Sequence, residues 1–193
     1  MLFEAWVGVG TNLGDHAQII QFVCKSLSSL SGFPIKISPL FQTEPWGVHD
    51  QDDYFNCVIG MKIDTDRLCE VALTQGVMTP LDPFFFHTKI GGGELFLKYL
   101  QQLEMLQGRR RALEMRWGPR TLDLDLLEIS GGLLEDSYYQ SSNLTLPHPR
   151  LHVRRFVLEP WEVIAPKLFI PALGLSVSEL LLQCPDTSWV KRL

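Results

Sequence analysis

The chain has 193 residues, a formal net charge of −5, and 46% hydrophobic against 20% charged residues, values typical of a globular domain that exclude a disordered chain, a fibre and a coiled coil. No apolar stretch reaches the ~18 residues of a membrane helix. The first residues include Glu4 and no Lys or Arg, and the four cysteines are widely spaced, so we expect a cytoplasmic protein without a targeting peptide.

The charge is unevenly distributed along the chain. Residues 109–120 contain five arginines and one acid, a net charge of +4, and residues 150–155 contain three arginines, a net charge of +3. The rest of the chain therefore carries −12. Compact arginine clusters in an otherwise acidic protein suit a small polyanion better than a long nucleic acid.

The first third of the chain predicts, in order, a strand, a helix, a short strand and a second long strand. Apolar residues alternate over residues 3–10, which predicts a strand, and Asp15 is a suitable N-cap for a helix over about 16–31. Residues 35–42 predict a short strand, which its proline places at a sheet edge. Residues 54–63 alternate cleanly, which predicts a strand with one face buried.

The remaining elements alternate between helices and strands. Residues 66–75 predict a short helix, and the apolar spacing of residues 94–106 predicts a longer one that starts after three consecutive glycines. Residues 122–126 alternate leucine with aspartate, which predicts a strand. Further short elements are expected at 144–147, 156–164 and 176–183. Strands interleaved with helices, with several strands joined directly, predict an α+β domain.

Gly8, Gly10 and Gly14 follow the first predicted strand. A dinucleotide-binding fingerprint needs G-x-G-x-x-G, and here Leu13 occupies the third glycine position. The sequence also lacks the Walker A pattern. The glycines therefore indicate a tight turn between strand and helix, or a close approach of the backbone to a ligand, and not a Rossmann site.

Asp123 and Asp125 lie two residues apart on a predicted strand. Their side chains should point the same way, with Cα atoms about 6.6 Å apart, and such a pair can hold two hard cations. A bare D-x-D more often marks the solvated face of a strand. The arginines within RWGPR at residues 116–120 favour the cation site, because arginines bind phosphate and cations neutralise phosphate oxygens in phosphoryl transfer.

Residues 116–127, RWGPRTLDLDLL, resemble the signature of the 6-hydroxymethyl-7,8-dihydropterin pyrophosphokinase family of folate biosynthesis. Other segments resemble family motifs in the same order along the chain: GTNLG at 10–14, TEPWG at 43–47, YFN at 54–56, LPHPR at 146–150 and RRFVLEP at 154–160. The similarity covers most of the chain.

The resemblance implies a ferredoxin-like α+β fold, with helices packed on an antiparallel sheet and long active-site loops. It implies transfer of pyrophosphate from ATP to the hydroxymethyl group of the pterin, with release of AMP, and a requirement for Mg²⁺, with two ions expected. The implied partners are these small molecules, with no nucleic acid and no membrane. A monomer is favoured over a dimer.

The resemblance also assigns roles to residues. Asp123 and Asp125 match the metal-binding aspartates, and Arg109 and Arg120 match the arginines that contact phosphates and assist transfer. The positions that match nucleotide contacts are Glu104, Arg111, Trp117, Thr145, His148 and Arg154. The positions that match the pterin pocket are Thr43, Pro45, Trp46, Tyr54, Asn56 and Phe156. Without the family, Glu104 would be interpreted as a solvated helix charge.

Two segments depart from the family pattern. Residues 66–91 are longer than the family's connection between strand and helix, and we interpret them as an insertion in a single domain over 1–193. Its phenylalanines 84–86 are expected to cover the protein's own surface, with a dimer or partner contact as the alternative. Residues 109–116 are about one residue longer than usual, which leaves open the roles of the three arginines that begin this segment.

Two other functions compete with the enzyme. A ferredoxin-like fold with an arginine-rich loop is compatible with an RNA-binding module, although the sequence lacks aromatics within a basic strand and the rest of the chain is acidic. The second is a relative that binds pterin or nucleotide without catalysis, which the intact aspartates and arginines disfavour.

Overall fold

An antiparallel sheet of six strands lies at the centre of the computed structural model, which describes residues 1–47, 50–77, 89–110, 118–131 and 138–193, without the side chains of 89 and 90. The strands are β1 (Leu2–Thr11), β2 (Lys36–Ile37), β3 (Phe41–Thr43), β4 (Tyr54–Asp64), β5 (Asp123–Ser130) and β10 (Val190–Arg192). Their order across the sheet is β10-β3-β4-β1-β5, and β2 also pairs with β4. The mixture of helices and antiparallel strands confirms the α+β class.

Five helices and two small ladders complete the described part of the chain. The helices are α1 (His16–Ser31), α2 (Thr65–Thr74), α3 (Lys89–Leu106), α4 (Arg155–Ile164) and α5 (Val177–Gln183). The ladders pair β6 (Tyr139–Gln140) with β7 (Thr145–Leu146), and β8 (Phe169–Ile170) with β9 (Leu175–Ser176). Single 3-10 turns occupy Leu151–Val153 and Pro171–Leu173. None of the helices in these ranges has the length and apolarity of a membrane span.

Most predicted elements are present. The prediction for residues 35–42 is corrected, because this segment forms two separate short strands, β2 and β3. The start of α3 is also corrected, because the helix begins at Lys89 and runs through the glycines expected to interrupt it. A Cβ on Gly92 would lie 3.0 Å from the Phe3 ring, and one on Gly93 would lie 3.0 Å from the Ile129 side chain. Close packing on the sheet therefore explains glycine in this helix.

Both faces of the sheet are covered. On one face, Phe3, Val7 and Ile59 join a core with buried residues of α1, α2 and α3. On the other face, Trp6 and Val58 join a second core with buried residues of α4 and α5. The prediction that β4 is buried on one face only is therefore wrong. The helices that cover its second face come from the far end of the chain.

The proposed insertion lies only partly within the described residues. Its first part is the predicted short helix, observed as α2, which Asp64 caps by accepting hydrogen bonds from the backbone N–H groups of Asp66 and Arg67. The three phenylalanines at 84–86 lie outside the described residues.

The contact between β4 and Trp6 gives a test of the second core. Gly60 lies opposite Trp6 in the β1–β4 register, and a Cβ on Gly60 would lie 2.7 Å from Cη2 of that indole. Because Trp6 is fully buried, we expect Gly60→Ala to lower the free energy of unfolding by about 1–3 kcal/mol, measured by urea denaturation. Gly8→Ala is the control, since its Cβ would meet ordinary contacts of 3.5 Å or more. Equal losses in the two variants would contradict this packing.

Candidate active site

A cleft of about 210 Å³ opens at the end of the sheet where β1 finishes and β5 begins. It collects side chains from the sheet, from the segment after β3, from the end of α3 and from the start of α4. The candidate residues that line it are Thr43, Trp46, Tyr54, Asn56, Arg109, Arg120, Asp123, Asp125, Arg154 and Phe156. The structure therefore brings together, in one cleft, candidates for metal, phosphate and pterin binding.

Asp123 and Asp125 project from β5 into the cleft, as their spacing predicts. The intervening Leu124 is buried in the first core, so the alternation of the strand separates carboxylates from apolar side chains. The carboxylate side chains are 28% and 29% exposed, so solvent and ligands can reach them.

Two arginines approach Asp123 from different segments. Arg109, just after α3, donates from Nη1 to Asp123 Oδ1 at 2.6 Å and to the Leu122 carbonyl at 3.2 Å. Arg120 places Nη1 3.3 Å from the other carboxylate oxygen, Oδ2. Both oxygens of Asp123 therefore face a guanidinium, which offsets the cost of holding a charge in a partly buried site.

Glu104 holds Arg109 from behind. Its Oε1 accepts hydrogen bonds from Arg109 Nη1 and, at 2.8 Å, from the backbone N–H of Leu124 on β5. Glu104 is only 1% exposed, so its interpretation as a solvated helix charge is wrong. The last turn of α3 packs against β5, and this packing buries a carboxylate whose position in the sequence predicts exposure. Glu104 thus fixes the arginine that reaches Asp123.

Asp125 is paired on the opposite side of the cleft. Arg154 Nη1 lies 2.5 Å from Asp125 Oδ2, and His148 Nε2 lies 3.8 Å from Oδ1. Burial, the largest single influence, raises the pKa of Asp125, but the charge and hydrogen bond of Arg154, together with the neighbouring His148 and Arg150, outweigh it and leave this pKa below its ordinary value. The carboxylate is therefore ionised at neutral pH. A carboxylate that binds a metal ion, or that competes with phosphate for an arginine, must carry this charge.

His148 has a fixed orientation beside Asp125. Its backbone N–H donates to the Leu127 carbonyl at 2.7 Å, and its Nδ1 accepts from the backbone N–H of Arg150 at 3.2 Å. Burial lowers the pKa of His148, and the attraction of Asp125 offsets this only in part. The ring is therefore neutral at pH 7, with its proton on the Nε2 that faces Asp125.

Trp46 and Phe156 form an aromatic wall next to these charges. The Arg154 guanidinium carbon lies 5.4 Å from the Trp46 ring centroid and 5.5 Å from that of Phe156. Arg150 approaches Trp46 at 5.6 Å. Each contact is within the range of a cation–π interaction. The wall thus holds two arginines while presenting flat apolar surface to the cleft.

The remaining wall is polar and lies on β3 and β4. Asn56 Nδ2 donates to Thr43 Oγ1 at 2.8 Å, and both side chains are buried. A Cβ on Gly10 would lie 2.8 Å from Asn56 Oδ1, so this amide requires a glycine in β1. Tyr54 donates its hydroxyl to the Gly118 carbonyl at 3.0 Å, and burial raises its pKa. This wall offers hydrogen-bonding groups beside aromatic surface.

Asn12 links two segments that border the cleft. Its Oδ1 accepts from the Arg120 backbone N–H at 2.8 Å, while its Nδ2 donates to Gln51 Oε1 and to the Asp52 carbonyl, both at 3.1 Å. Asn12 itself is buried. The residue thereby fixes the backbone of Arg120 relative to the segment that leads into Tyr54, a role that its motif did not predict.

Several candidates lie outside the cleft lining, and several lining residues were not candidates. Pro45, Glu104, Thr145 and His148 are described but do not line the cleft, and Arg111 and Trp117 lie outside the described residues. The lining residues that the sequence analysis did not name as site residues are Gly8, Val9, Gly10, Glu44, Cys57, Arg150 and Val157. Two features of the sequence could have identified Arg150 as a site residue. It lies in the LPHPR motif, and it is one of the three arginines within residues 150–155.

The carboxylate pair fits Mg²⁺ in type and number of donors. The described residues contain no group of three or more His, Cys, Asp or Glu that could enclose a metal. Mg²⁺ needs no such cage, since it is held by one or two carboxylates and completes its shell with water and substrate phosphates. Asp123 and Asp125 supply hard oxygen donors at a partly exposed position, which agrees with that mode of binding.

Comparison with protein families gives a match over most of the chain. The family model for 7,8-dihydro-6-hydroxymethylpterin-pyrophosphokinase (HPPK) matches residues 6–77 and 86–166. The chain is 31% identical to the 2-amino-4-hydroxy-6-hydroxymethyldihydropteridine pyrophosphokinase of Haemophilus influenzae, over 98% of each sequence. It is 33% identical to that of Pseudomonas aeruginosa, over 96% of this chain and 94% of the other.

Solved structures share the fold. A crystal structure of Plasmodium falciparum HPPK-DHPS aligns with a TM-score of 0.57 at 11% sequence identity and covers 95% of this chain. The chain spans only 44% of that larger protein. At this identity the likeness concerns the fold alone.

The buried contacts of Glu104 predict a large stability loss on its removal. Glu104→Ala removes the buried carboxylate that accepts hydrogen bonds from both Arg109 and the Leu124 N–H, so we expect a loss of about 3–5 kcal/mol in urea denaturation. Glu159→Ala is the matched control, because it removes only the i,i+4 pair with Arg155 at the surface and should cost about 0.5 kcal/mol. A loss at Glu104 as small as at Glu159 would contradict the buried role.

Proposed function

The chain belongs to the 7,8-dihydro-6-hydroxymethylpterin-pyrophosphokinase family and is a pyrophosphokinase of folate biosynthesis, and we propose that its cleft moves the terminal pyrophosphoryl group of ATP to 6-hydroxymethyl-7,8-dihydropterin and releases AMP. One observation carries the proposal. The carboxylates of Asp123 and Asp125 and four arginines, counted over the described residues, converge on a cleft whose other walls are aromatic and amide-bearing.

The pterin is proposed to bind on the side of β3 and β4. A pterin is a flat heterocycle with an amide-like edge, so it needs an apolar face and a paired donor and acceptor. Trp46 and Phe156 offer the face. Asn56 offers the edge, because its Nδ2 is held by Thr43 and the amide is therefore fixed in orientation. The proposed pocket thus follows from the same contacts that bury Asn56.

The triphosphate is proposed to bind between the two arginine groups. Arg109 and Arg120 lie at Asp123, while Arg150 and Arg154 lie at the Asp125 end of the cleft. Guanidinium groups present planar N–H donors that match phosphate oxygens. The two carboxylates hold these arginines in the cleft before the nucleotide arrives. A bound triphosphate then competes with the carboxylates for the same N–H donors.

We propose that Asp123 and Asp125 hold Mg²⁺, with two ions expected. Bound there, Mg²⁺ supplies positive charge to the phosphate oxygens and lowers the pKa of the attacking hydroxyl. Arg109 and Arg154 keep the two aspartates turned into the cleft. The carboxylates among the described lining residues are Glu44, Asp123 and Asp125, and each accepts a hydrogen bond, so we propose no protein base.

The proposed chemistry is one in-line displacement. The hydroxymethyl oxygen forms a bond to the β-phosphorus and releases its proton to solvent. The bond from that phosphorus to the bridging α,β-oxygen breaks, so AMP leaves with the electron pair. Negative charge grows on the bridging and β-phosphate oxygens during transfer. Arg109 and Arg120 on one side, and Arg154 on the other, are fixed in position to stabilise that charge.

The finer fold assignment is also a proposal. The succession β1, α1, β3, β4, α3, β5 follows the β-α-β-β-α-β pattern of ferredoxin-like folds, and its four strands lie in the order β3-β4-β1-β5. This succession supports a ferredoxin-like core to which α2, α4, α5 and β10 are added. The family match omits residues 78–85, which lie inside the proposed insertion.

Other expectations stay proposals. Family membership favours the enzyme over an RNA-binding module, and binding of small molecules agrees with the cleft. We propose that the protein acts as a monomer in the cytoplasm, without nucleic acid or membrane partners.

The aspartates give the direct test of function. Wild-type protein incubated with ATP, Mg²⁺ and 6-hydroxymethyl-7,8-dihydropterin should release AMP, measured by chromatography. Asp123→Asn and Asp125→Asn should each lower kcat by about 10³-fold or more, because each removes a carboxylate proposed as a metal ligand. Excess chelator should abolish turnover.

Asp64→Asn is the matched control. It makes the same chemical change at the N-cap of α2, where Asn caps as well as Asp, so kcat should be unchanged. Near-wild-type turnover in both site variants, or no AMP from the wild type, would overturn the proposal.

A further inference from the structure

The end of the chain returns to the cleft. The family match stops at residue 166, yet the last residues form β10, which pairs with β3 so that Val190 lies opposite Thr43. The backbone N–H of Leu193 also donates to the Leu40 carbonyl at 2.9 Å. The strand that carries Thr43 is therefore held between β4 and the C-terminal residues.

A side-chain contact extends this attachment beyond the sheet. Glu44 directly follows β3 and lines the cleft, and its Oε1 accepts the backbone N–H of Trp189 at 2.7 Å. A shallow depression is lined on one side by residues 44–47 and on the other by residues 186–188. Residues 186–188 therefore lie across this depression from Trp46.

The same segment supplies the missing cap of α4. Arg154 is the N-cap residue of this helix, and its side chain makes no capping hydrogen bond. Instead, Asp186 Oδ2 accepts the backbone N–H of Arg155 at 3.0 Å. Asp186 Oδ1 is itself fixed by the backbone N–H of Ser188, at 3.0 Å, and by the Ser188 hydroxyl. A carboxylate at this position also interacts favourably with the helix dipole.

The capped end of α4 is the part that reaches the site. Arg154 pairs with Asp125 and makes cation–π contacts with both the Trp46 and the Phe156 rings. One short segment thus contacts both the start of α4, which carries Arg154, and residues 43 and 44, which shortly precede Trp46. In the proposed function, Trp46 contacts the pterin and Arg154 contacts the triphosphate.

We propose that residues 186–193 form a C-terminal strap that aligns Trp46, in the proposed pterin pocket, with Arg154. Asp186 is the main positioning residue of this strap. The inference rests on the proposed function, since it concerns the same cleft. Asp186 does not line the cleft, and its effect on substrates passes through the start of α4. The strap makes the spacing between Trp46 and Arg154 a property of the folded chain.

The test compares two helix caps. Asp186→Ala and Asp64→Ala each remove a capping aspartate, from α4 and from α2 respectively, so both should lower Tm by a similar amount. Only Asp186→Ala should raise the KM for ATP, by about fivefold, the equivalent of one lost cap. Asp186→Asn, which keeps a capping oxygen, should recover most of that change.

The outcomes separate the strap from the function. Equal KM values in the two Ala variants, or no recovery in Asp186→Asn, would overturn the strap while leaving the pyrophosphokinase activity intact. Absence of AMP from the wild type would instead overturn the proposed function, and calorimetric titration with Mg-ATP would then still compare the two caps. If Asp186→Ala does not fold, Ser188→Ala tests the same contact, because it removes the hydroxyl that fixes Asp186.

Discussion

Two guanidinium–carboxylate pairs organise this protein: Arg109 with Asp123, and Arg154 with Asp125. The two carboxylates stand close together on one strand, and like charges at such a distance raise each other's energy unless cations neutralise them. Each neutralising arginine comes from a different helical layer. Arg109 follows α3 on one face of the sheet, and Arg154 precedes α4 on the other. The pairs therefore tie both layers to β5, and the cleft forms where they meet.

The support of these pairs explains which polar groups are buried. Glu104 holds Arg109 and a backbone N–H of β5, while Trp46, Phe156 and the cap from Asp186 hold Arg154. Removing one partner of a buried pair costs more than the intact pair contributes to stability, so such groups persist where a function needs them. In the proposed function, these arginines present fixed positive charge to a triphosphate. Ligand binding therefore explains these buried polar pairs better than a contribution to stability does.

Local sequence pattern predicted the elements whose burial is local. The alternation of β1, the Asp15 cap of α1 and the D-x-D of β5 all matched the structure. Features that depend on distant partners were missed: the second buried face of β4, the burial of Glu104 against β5, and the pairing of β10 with β3. For the site, the family motifs gave most of the lining. Arg150 and Glu44 lie inside two of these motifs, but their contacts with Trp46 and Trp189 depend on segments far along the chain. Helix α3 begins earlier than predicted, at Lys89, and includes the glycines that were expected to precede it. Glycines that allow close packing cannot be distinguished, from the pattern alone, from glycines that break a helix.

The proposed function requires that an arginine and its paired carboxylate, such as Arg154 and Asp125, act as one binding unit for a nucleotide and its cation. Calorimetric titration of Mg-ATP into Arg154→Gln, Asp125→Asn and the double variant tests this most directly. The account predicts strong coupling, with the double variant losing less binding free energy than the two single losses together by about 1–3 kcal/mol. Losses that simply add would contradict it, since they would mean that Arg154 and Asp125 meet the ligand independently.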